Sequence, residues 1–197
     1  MSETRFLMTK EHHKNTYEKA KKDGKMDLDF IPLCDFLAKT KHYFSASSCA
    51  GRIVLVGLDK SESKKESAFH RKWHRKVKFE EVKEGIEAYN GEVLWFKQEP
   101  IIFHMGTDTL EHAKIVLAAC EKVGVKRGGI KVAKEGKFIL EMVGSHSIHT
   151  PVREDQKTMI SDEYLDYLIK KANEKFEKNK KTLKLFEKEI KKALKNL

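Results

Sequence analysis

The feature that most limits the possible folds is a long amphipathic helix predicted from Asp162 to the end of the chain. Its apolar residues recur at intervals of three and four, which places them along one side of an α-helix. A helix with a single apolar stripe buries that stripe against another layer of the protein, and the strand patterns upstream favour a sheet as that layer. The stripe consists of Tyr164, Leu165, Leu168, Ala172, Phe176, Leu183, Phe186, Ile190 and Leu194.

The middle of the chain alternates between helical and extended patterns. Val82, Ile86 and Tyr89 recur at i, i+4 and i+7, as on one face of a helix. The element order from Ala68 to Ala133 is strand, helix, strand, strand, helix, strand, which is ferredoxin-like. We therefore expect an α/β or α+β fold, with a mixed sheet, flanking helices and a long C-terminal helix. The predicted strands are Ile53–Gly57, Ala68–His74, Glu92–Gln98, Ile101–Met105, Ile130–Ala133 and Phe138–Val143, and the segment His146–Lys157 is predicted to be a polar loop.

Length and composition are typical of one globular domain. A chain of 197 residues with 40% hydrophobic and 9% aromatic residues predicts a single domain over residues 1–197. No apolar run approaches the roughly 20 residues of a membrane helix, and the polar N-terminus lacks a signal-peptide core. Cys34, Cys49 and Cys120 are odd in number and show no CxxC spacing, so we expect no disulfide partner. These features favour a cytoplasmic protein without membrane contact.

The positive charge is concentrated in two segments. The formal net charge is +10; Lys170–Leu197 contains eleven Lys and four Glu, a net of +7, and Lys60–Lys83 has a net of +5. Two basic segments on a nearly neutral body are typical of a protein that binds a phosphate-rich partner. The alternative is a solvated Lys/Glu surface of a heat-tolerant protein.

The run Ser47-Ser48-Cys49-Ala50-Gly51-Arg52 is the first candidate site. Small residues let the backbone approach a ligand closely, and their N–H and hydroxyl groups can bind an anion. Arg52 adds a planar group suited to carboxylate or phosphate. The alternative is an ordinary serine-containing turn. The chain has neither GxxxxGK[ST] nor a GxGxxG after a strand, so it shows no P-loop and no Rossmann-type cofactor site.

Titratable and polar residues near predicted strand ends or loops form the second set of candidates. A histidine within an apolar strand, as His104 is, belongs to the core more often than to a catalytic site. Cys49 is a possible nucleophile, although a buried small residue is the simpler interpretation. No His, Cys and acidic residues stand at metal-ligand spacing, so no metal site is predicted. The full set is Asp27, His74, His104, Lys126, Arg127, Ser145 and His146.

The ordered motifs resemble the tRNA wybutosine-synthesising protein 3 family, the S-adenosylmethionine-dependent methyltransferases of the wyosine pathway. The resemblance covers nearly the whole chain, and Phe44–Ile53 is similar to the family's most diagnostic motif. The other matching segments are Gly24–Asp27, Phe69–His74, Glu99–His104, Gly124–Ile130, Ser145-His146 with Pro151, Asp162–Tyr164, Ala172-Asn173 and Asn179–Lys181.

The resemblance implies a specific reaction and an unusual α/β fold that is not a Rossmann methyltransferase. Family members methylate ring nitrogen 4 of a tricyclic, guanosine-derived base at position 37 of phenylalanine tRNA, and that base carries an aminocarboxypropyl side chain. The implied methyl donor is S-adenosylmethionine, and the implied partner is the anticodon arm of tRNA(Phe).

The attacking nitrogen must lose a proton, which a carboxylate or a neutral imidazole can accept. Asp27 is the first candidate for this base, and His74 or His104 is the second. Trp73 or Trp95 could stack on the base, with core packing as the alternative. The residues expected to hold the cofactor or a carboxylate are Ser47, Ser48, Arg52 and Ser145, and those expected to contact tRNA phosphates are Lys126, Arg127, Lys180, Lys181 and Lys184.

Two other classes of function remain open from the sequence. A non-catalytic RNA-binding module would use the same basic faces but would not bind S-adenosylmethionine. A small-molecule enzyme with a merely solubilising lysine surface would show no affinity for tRNA.

Overall fold

A computed structural model describes residues 2–62 and 67–195. None of the helices in these ranges combines the length and the apolar character needed to cross a bilayer. The helices are α1 (Ser2–Lys22), the 3₁₀ turn Leu28–Phe30, α2 (Ile31–Lys39), α3 (Phe79–Glu87), α4 (Leu110–Lys122) and α5 (Asp162–Ala193). The strands are β1 (Tyr43–Cys49), β2 (Arg52–Leu58), β3 (Ala68–Trp73), β4 (Val93–Glu99), β5 (Ile102–Thr107), β6 (Arg127–Lys134), β7 (Lys137–Val143), β8 (Ile148–Glu154) and β9 (Lys157–Thr158).

The contacts divide the chain into two compact units. The first unit comprises residues 2–50, 101–145 and 180–195 and contains a four-stranded sheet in the order β1-β5-β7-β6. One face of this sheet carries Phe103, Met105 and Leu140, which pack with α2, α4 and the last part of α5 in one apolar core. Because successive side chains of a strand point to opposite faces of the sheet, the alternate residues of these strands lie on the other face.

The second unit comprises residues 51–62, 67–100 and 146–179 and has a five-stranded sheet in the order β3-β2-β4-β8-β9. Ile53, Leu55 and Phe96 lie on one face and pack against α3 and the first part of α5. Val54, Val56 and Leu58 alternate with them on β2 and form a smaller apolar cluster on the other face.

The α+β class and the long C-terminal helix are confirmed, and no Rossmann-type arrangement of parallel strands occurs in the described residues. The expectation of one mixed sheet is wrong, because the pairings in these residues are antiparallel and belong to two sheets. The ferredoxin-like order is present, but β3 and β4 lie in one sheet whereas β5 and β6 lie in the other. The chain changes sheet at Pro100, which has no N–H to continue a ladder.

Three strands differ from the sequence-based expectation. The serine-rich run was expected to be a turn but lies mostly in β1, and the loop predicted at His146–Lys157 contains β8 and β9. Val152 is the one fully buried side chain among the residues of β8, so this strand lacks the apolar alternation by which strands are recognised. A polar strand of this kind is held in the sheet by backbone hydrogen bonds to its neighbouring strands rather than by burial of its own side chains.

Candidate functional site

A bulge in β1 determines which serine faces which surface. Ser45 pairs with Met105 and Ser47 pairs with His104, so Ala46 is an extra residue between two consecutive positions of β5. An extra residue shifts the alternation of side chains along the bulged strand. Ser47 therefore lies on the same face as His104, while the side chain of Ser48 lies on the other face.

Four polar side chains form a continuous row across the first sheet, which we call the proton row: Ser47, His104, Glu141 and Lys131. Ser47 Oγ lies 2.8 Å from His104 Nδ1. His104 Nε2 lies 3.0 Å from Glu141 Oε2, and Lys131 Nζ lies 2.8 Å from Glu141 Oε1. One residue comes from each of the four strands, so the sheet itself sets these distances.

The proton row has the connectivity of a proton relay. If the Ser47 hydroxyl donates to Nδ1 of a neutral His104, the single ring N–H is on Nε2. That N–H then donates to Glu141. The hydrogen bond from Lys131 lowers the pKa of Glu141, burial opposes this effect, and the contact with His104 adds to it. An ionised Glu141 would stabilise a positive charge developing on the imidazole, as the carboxylate does in a Ser-His-Asp triad.

Helix α1 covers only part of this face. The ring of Phe44 lies over Gly106, where any larger residue would overlap it, and His13 of α1 stacks on Phe44 with centroids 4.7 Å apart. Phe6 of α1 packs against the same ring. Further along the sheet, the His104 side chain remains 25% exposed. The proton row is therefore accessible to a ligand.

Strand β6 brings two of the predicted basic residues to the edge of this sheet. Lys126 and Arg127 are exposed at the start of β6. Gly128 follows with φ of +149°, and a Cβ there would overlap the carbonyl oxygen of Glu141. Only glycine allows β6 to approach β7 this closely, and a shallow cavity of about 270 Å³ lies between Arg127 and Glu141.

Asp27 lies at the other end of β1. Its Oδ2 accepts a hydrogen bond of 2.7 Å from the backbone N–H of Ala50, which directly follows the strand. Although Asp27 stands at the N-cap position of the 3₁₀ turn, its side chain makes no capping bond to that turn within the described residues. The carboxylate therefore fixes the backbone immediately after the serine motif instead of capping a helix.

The remaining small-residue candidates have different environments. The buried Ser48 Oγ has no hydrogen-bond partner among the residues that the structure describes. Cys49 is half-buried, whereas burial raises the pKa of Cys34 to about 11 and that of Cys120 to about 12. Ser145 is exposed and follows Gly144, whose N–H donates to the Ile101 carbonyl.

The lysines of α5 are not equivalent. Lys181 and Lys184 are exposed on the last part of the helix. Lys180 is half-buried, and its Nζ lies 3.2 Å from Asp29 Oδ2. Pairing with a carboxylate reduces the charge that Lys180 can offer to a phosphate.

The second unit has an aromatic and charged outer face, which we call the aromatic face. Arg52 forms an ion pair with Glu99 and stacks over the ring of Phe69, with its guanidinium carbon 4.6 Å from the ring centroid. Trp95 lies on the same face, and its Nε1 donates to Glu62 at 3.0 Å. These residues line a cavity of about 550 Å³.

The two tryptophans have roles that the sequence could not separate. Trp73 packs against the apolar core of the second unit, whereas Trp95 contributes to the opposite face. His74 follows β3 and is exposed. His146 is half-buried, and burial together with Lys175 and Lys178 lowers its pKa.

A buried polar cluster lies at the beginning of β2. Gly51 has φ of +94°, and a Cβ there would lie 3.0 Å from the Glu99 carbonyl oxygen and 3.1 Å from Asn179 Nδ2. Gln98 and Asn179 are fully buried. Gln98 Oε1 and Asn179 Oδ1 lack hydrogen-bond partners in the part of the chain that the structure describes.

Sequence reasoning missed Glu141 and Lys131 in the first unit, and Glu99 and Phe69 as site residues in the second. Glu141 is a lone acidic residue in an otherwise apolar strand, which is the one signal that could have identified it. Its partnership with His104 depends on the pairing of β5 with β7, which the sequence does not specify.

Comparison with known proteins gives a consistent result over the whole chain. A family described as Methyltransferase TYW3 matches residues 5–192. A relative from Thermococcus kodakarensis is 32% identical over 95% of this chain and 94% of its own length. A relative from Archaeoglobus fulgidus is 34% identical over 85% of this chain and 84% of its own. Both are named tRNA(Phe) 7-((3-amino-3-carboxypropyl)-4-demethylwyosine(37)-N(4))-methyltransferase, the former with the suffix 1.

A solved structure also resembles the fold. The PH1069 protein of Pyrococcus horikoshii superposes with a TM-score of 0.89 at 30% identity. The superposition covers 96% of this chain and 98% of that protein. The similarity therefore includes both units.

Proposed function

Because this chain belongs to the Methyltransferase TYW3 family, we propose that it methylates N4 of 7-(3-amino-3-carboxypropyl)-4-demethylwyosine at position 37 of tRNA(Phe). The observation that carries this proposal is the match over residues 5–192, which leaves no large part of the chain for another activity. We take residues 1–197 as a single methyltransferase domain. A non-catalytic RNA-binding role does not fit a family of methyltransferases.

The methyl donor is S-adenosylmethionine, which supplies a methyl group from its sulfonium centre. The buried Ser48 hydroxyl of the first unit suits such a ligand, because it can donate to a carboxylate. A buried polar atom without a partner costs roughly 1–3 kcal/mol, so a ligand that satisfies it gains binding free energy. Ser145 is a further candidate for this role.

The protein's part in the chemistry is to remove a proton from N4 of the base. The Ser47 oxygen accepts that proton while its own hydrogen passes to His104 Nδ1 at 2.8 Å. Glu141, held by Lys131, stabilises the resulting imidazolium through Nε2. Acid–base catalysis of this kind contributes about 10²–10⁴ in rate. Asp27 positions the end of β1 through Ala50, and His74 remains an alternative base.

The aromatic face carries groups that suit an aminocarboxypropyl side chain. Arg52 offers a bidentate donor for the carboxylate, and Glu99 offers an acceptor for the ammonium group. Trp95 and Phe69 provide surfaces for stacking a flat ring, worth about 1–3 kcal/mol per base. S-adenosylmethionine carries the same aminocarboxypropyl group on its sulfur, so Arg52 suits either ligand.

The tRNA is held through phosphates of the anticodon arm by exposed cations. The first unit exposes Lys126 and Arg127 at the start of β6, and Lys181 and Lys184 on α5. Lys180 contributes less because it is paired with Asp29. Such contacts position the substrate without reading its sequence.

Single-turnover methyl transfer tests the proposal. The chain is mixed with labelled S-adenosylmethionine and tRNA(Phe) carrying the demethylated precursor, and nucleosides are analysed by mass spectrometry. We expect one methyl group on N4, and no transfer to tRNA that is already methylated there. Transfer to a different atom, or none with a folded protein, would overturn the assignment.

A further inference from the structure

The strongest feature outside the proposed catalytic machinery is a cluster of His42, Asp108 and His112 in the first unit. His42 directly precedes β1, Asp108 directly follows β5, and His112 lies in the first turn of α4. The Nδ1 atoms of His42 and His112 each lie 2.5 Å from a different oxygen of the Asp108 carboxylate. The two imidazole rings lie with their centroids 4.4 Å apart and their planes tilted by 39°. One carboxylate therefore joins three chain segments.

The surroundings hold these side chains in place. The fully buried Thr107 donates its hydroxyl hydrogen toward the His42 carbonyl at 2.9 Å and also lies 3.2 Å from Asp108 Oδ1. The Thr109 side chain accepts from the backbone N–H of His112, which fixes the first turn of α4. Hydrogen-bonded support around a group of ligands is typical of metal centres.

The chemistry of this donor set suits a transition-metal ion. Two imidazole nitrogens and one carboxylate oxygen lie within 4.8 Å of one another. Zinc binds nitrogen and oxygen ligands at about 2.0–2.2 Å, so neighbouring ligand atoms in a tetrahedral site are about 3.4 Å apart. The present contacts would need to open by about 1 Å, which rotation of the half-buried side chains allows. Asp108 and His112 are four residues apart in the chain, on either side of the start of α4.

We propose that His42, Asp108 and His112 bind one divalent transition-metal ion, best matched by zinc, with its fourth position open to the neighbouring cavity. The metal takes the place of the Nδ1 hydrogens that now bridge to the carboxylate: the hydrogen of a neutral imidazole moves to Nε2, and the extra proton of an imidazolium is released to water. The cavity of about 230 Å³ beside His42 and Asp108 provides room for a water molecule or for the Glu3 carboxylate.

The local charges predict a moderate rather than an extreme affinity. Lys41 lines the same cavity, and Lys10 is close enough to Asp108 to interact electrostatically. Both ammonium groups oppose a cation, whereas Glu3 and the ionised Asp108 favour it.

The cluster is separate from the proton row. His42 directly precedes β1 and Ser47 lies five residues later within it, which corresponds to about 16 Å at the rise of an extended strand. Metal binding there ties the start of β1 to the start of α4 and stabilises the first unit. It does not depend on the proposed methyl transfer.

The test uses the full chain without an affinity tag and with Co²⁺ and Zn²⁺ as probes. We expect one equivalent of Co²⁺ to bind with the visible absorption of a four-coordinate nitrogen and oxygen site. Zn²⁺ at 100 times its dissociation constant should raise the melting temperature by about 5–10 °C. His42→Ala and His112→Ala should each weaken binding at least 100-fold, while His12→Ala, which removes an exposed histidine, should not.

Circular dichroism establishes that each variant is folded, and His42→Gln replaces any variant that is not. Failure of the wild-type chain to bind a stoichiometric ion would overturn the proposal and leave the cluster as a hydrogen-bonded network. Unchanged affinity in folded cluster variants would also overturn it and would place the ion on other ligands. Thiolate-to-cobalt charge-transfer bands would assign the ion to cysteine, with the same consequence.

Discussion

The two sheets have outer faces of contrasting character. In the first unit this face carries the proton row, whose four side chains are joined by hydrogen bonds and an ion pair. In the second unit it carries the aromatic face, where Phe69 and Trp95 surround an Arg52–Glu99 pair above Val56 and Leu58. Both sheets are antiparallel and bury their other face under helices.

The contrast shows that two similar antiparallel sheets can have different chemistry when only the residues on their outer faces differ. A linked row of Ser, His and Glu can move a proton but offers little flat apolar area. Aromatic rings with a paired Arg and Glu can hold a planar, zwitterionic group but have no linked proton path. We therefore expect substitutions in the proton row to change rates, and substitutions on the aromatic face to change affinities.

The largest expected effect is that of His104→Gln. Glutamine can keep hydrogen bonds to Ser47 and Glu141, but its amide cannot take up a proton near neutral pH. The single-turnover rate should fall by about 10²–10⁴ while tRNA affinity stays unchanged. His70→Gln, a half-buried histidine bonded to the Gly85 carbonyl in the second unit, is the matched control. Equal losses of rate and affinity in His104→Gln would remove the contrast between the faces.

Trp95→Ala should have the next largest effect, on binding. Loss of one stacking surface should weaken affinity for precursor tRNA roughly 5- to 150-fold, because stacking contributes about 1–3 kcal/mol per base. The rate at saturating tRNA should change little. Trp73→Phe, which alters a ring packed on the core, should leave affinity unchanged. If both variants bind tRNA as the wild type does, the aromatic face is not the recognition surface.

Asp27 separates positioning from proton transfer. Asp27→Ala removes a charged acceptor from the Ala50 N–H and should cost about 1.5–3 kcal/mol of stability. Asp27→Asn retains a side-chain oxygen and should restore most of the stability and of the rate. Melting curves and single-turnover rates for the two variants test this. A folded Asp27→Asn that is slower by 10² or more would make Asp27 the base and displace His104.

Substitution of the α5 lysines should change tRNA binding and its salt dependence but not the rate of methyl transfer. Lys181→Gln with Lys184→Gln should reduce the log–log salt slope by about 1.4–1.8, since each phosphate contact contributes roughly 0.7–0.9. Lys180→Gln should reduce it less because Lys180 is paired with Asp29. Binding isotherms at several salt concentrations measure the slope. An unchanged slope in the double variant would move the docking surface to Lys126 and Arg127.

The smallest expected effect is the contribution of the proton row to acid stability. The pKa of Glu141 lies below the ordinary value of about 4.3, so its ion pair favours the folded state above that pH. This contribution is lost as the pH falls through the lowered pKa. Glu141→Gln should therefore reduce the stability difference between pH 7 and pH 3 by less than about 1 kcal/mol. Urea unfolding measures this, with the exposed Glu121→Gln as control; equal responses would mean that the ion pair adds no stability.

Helices and apolar strands could be predicted because their signals are local. The stripe on α5 and the spacing of Val82 and Ile86 are properties of a short window, and burial in the structure follows them except at Tyr164, which is exposed. The distribution of strands between two sheets could not be predicted in this way. Antiparallel pairing of β5 with β1 and β7 depends on the whole chain, and residue order is the same for one sheet or two.

The candidate residues were partly predictable for the same reason. His104 and Ser47 were identified from their types, but their 2.8 Å contact depends on the bulge at Ala46. Asp27 was expected at a helix start, where it does stand, yet its carboxylate bonds to Ala50, 23 residues later in the chain. Long-range partners of this kind leave no periodic trace in the sequence.

The bulge has a consequence for how the length of this segment can vary. Ala46 is one residue more than the ladder with β5 requires, and removing it would leave Ser45, Ser47 and Ser48 alternating in their present directions. An insertion beside it would instead turn Ser47 away from His104. Strand β1 is therefore expected to tolerate the loss of one residue at Ala46 better than the gain of one. Among members of this family, deletions at this position should be more frequent than insertions.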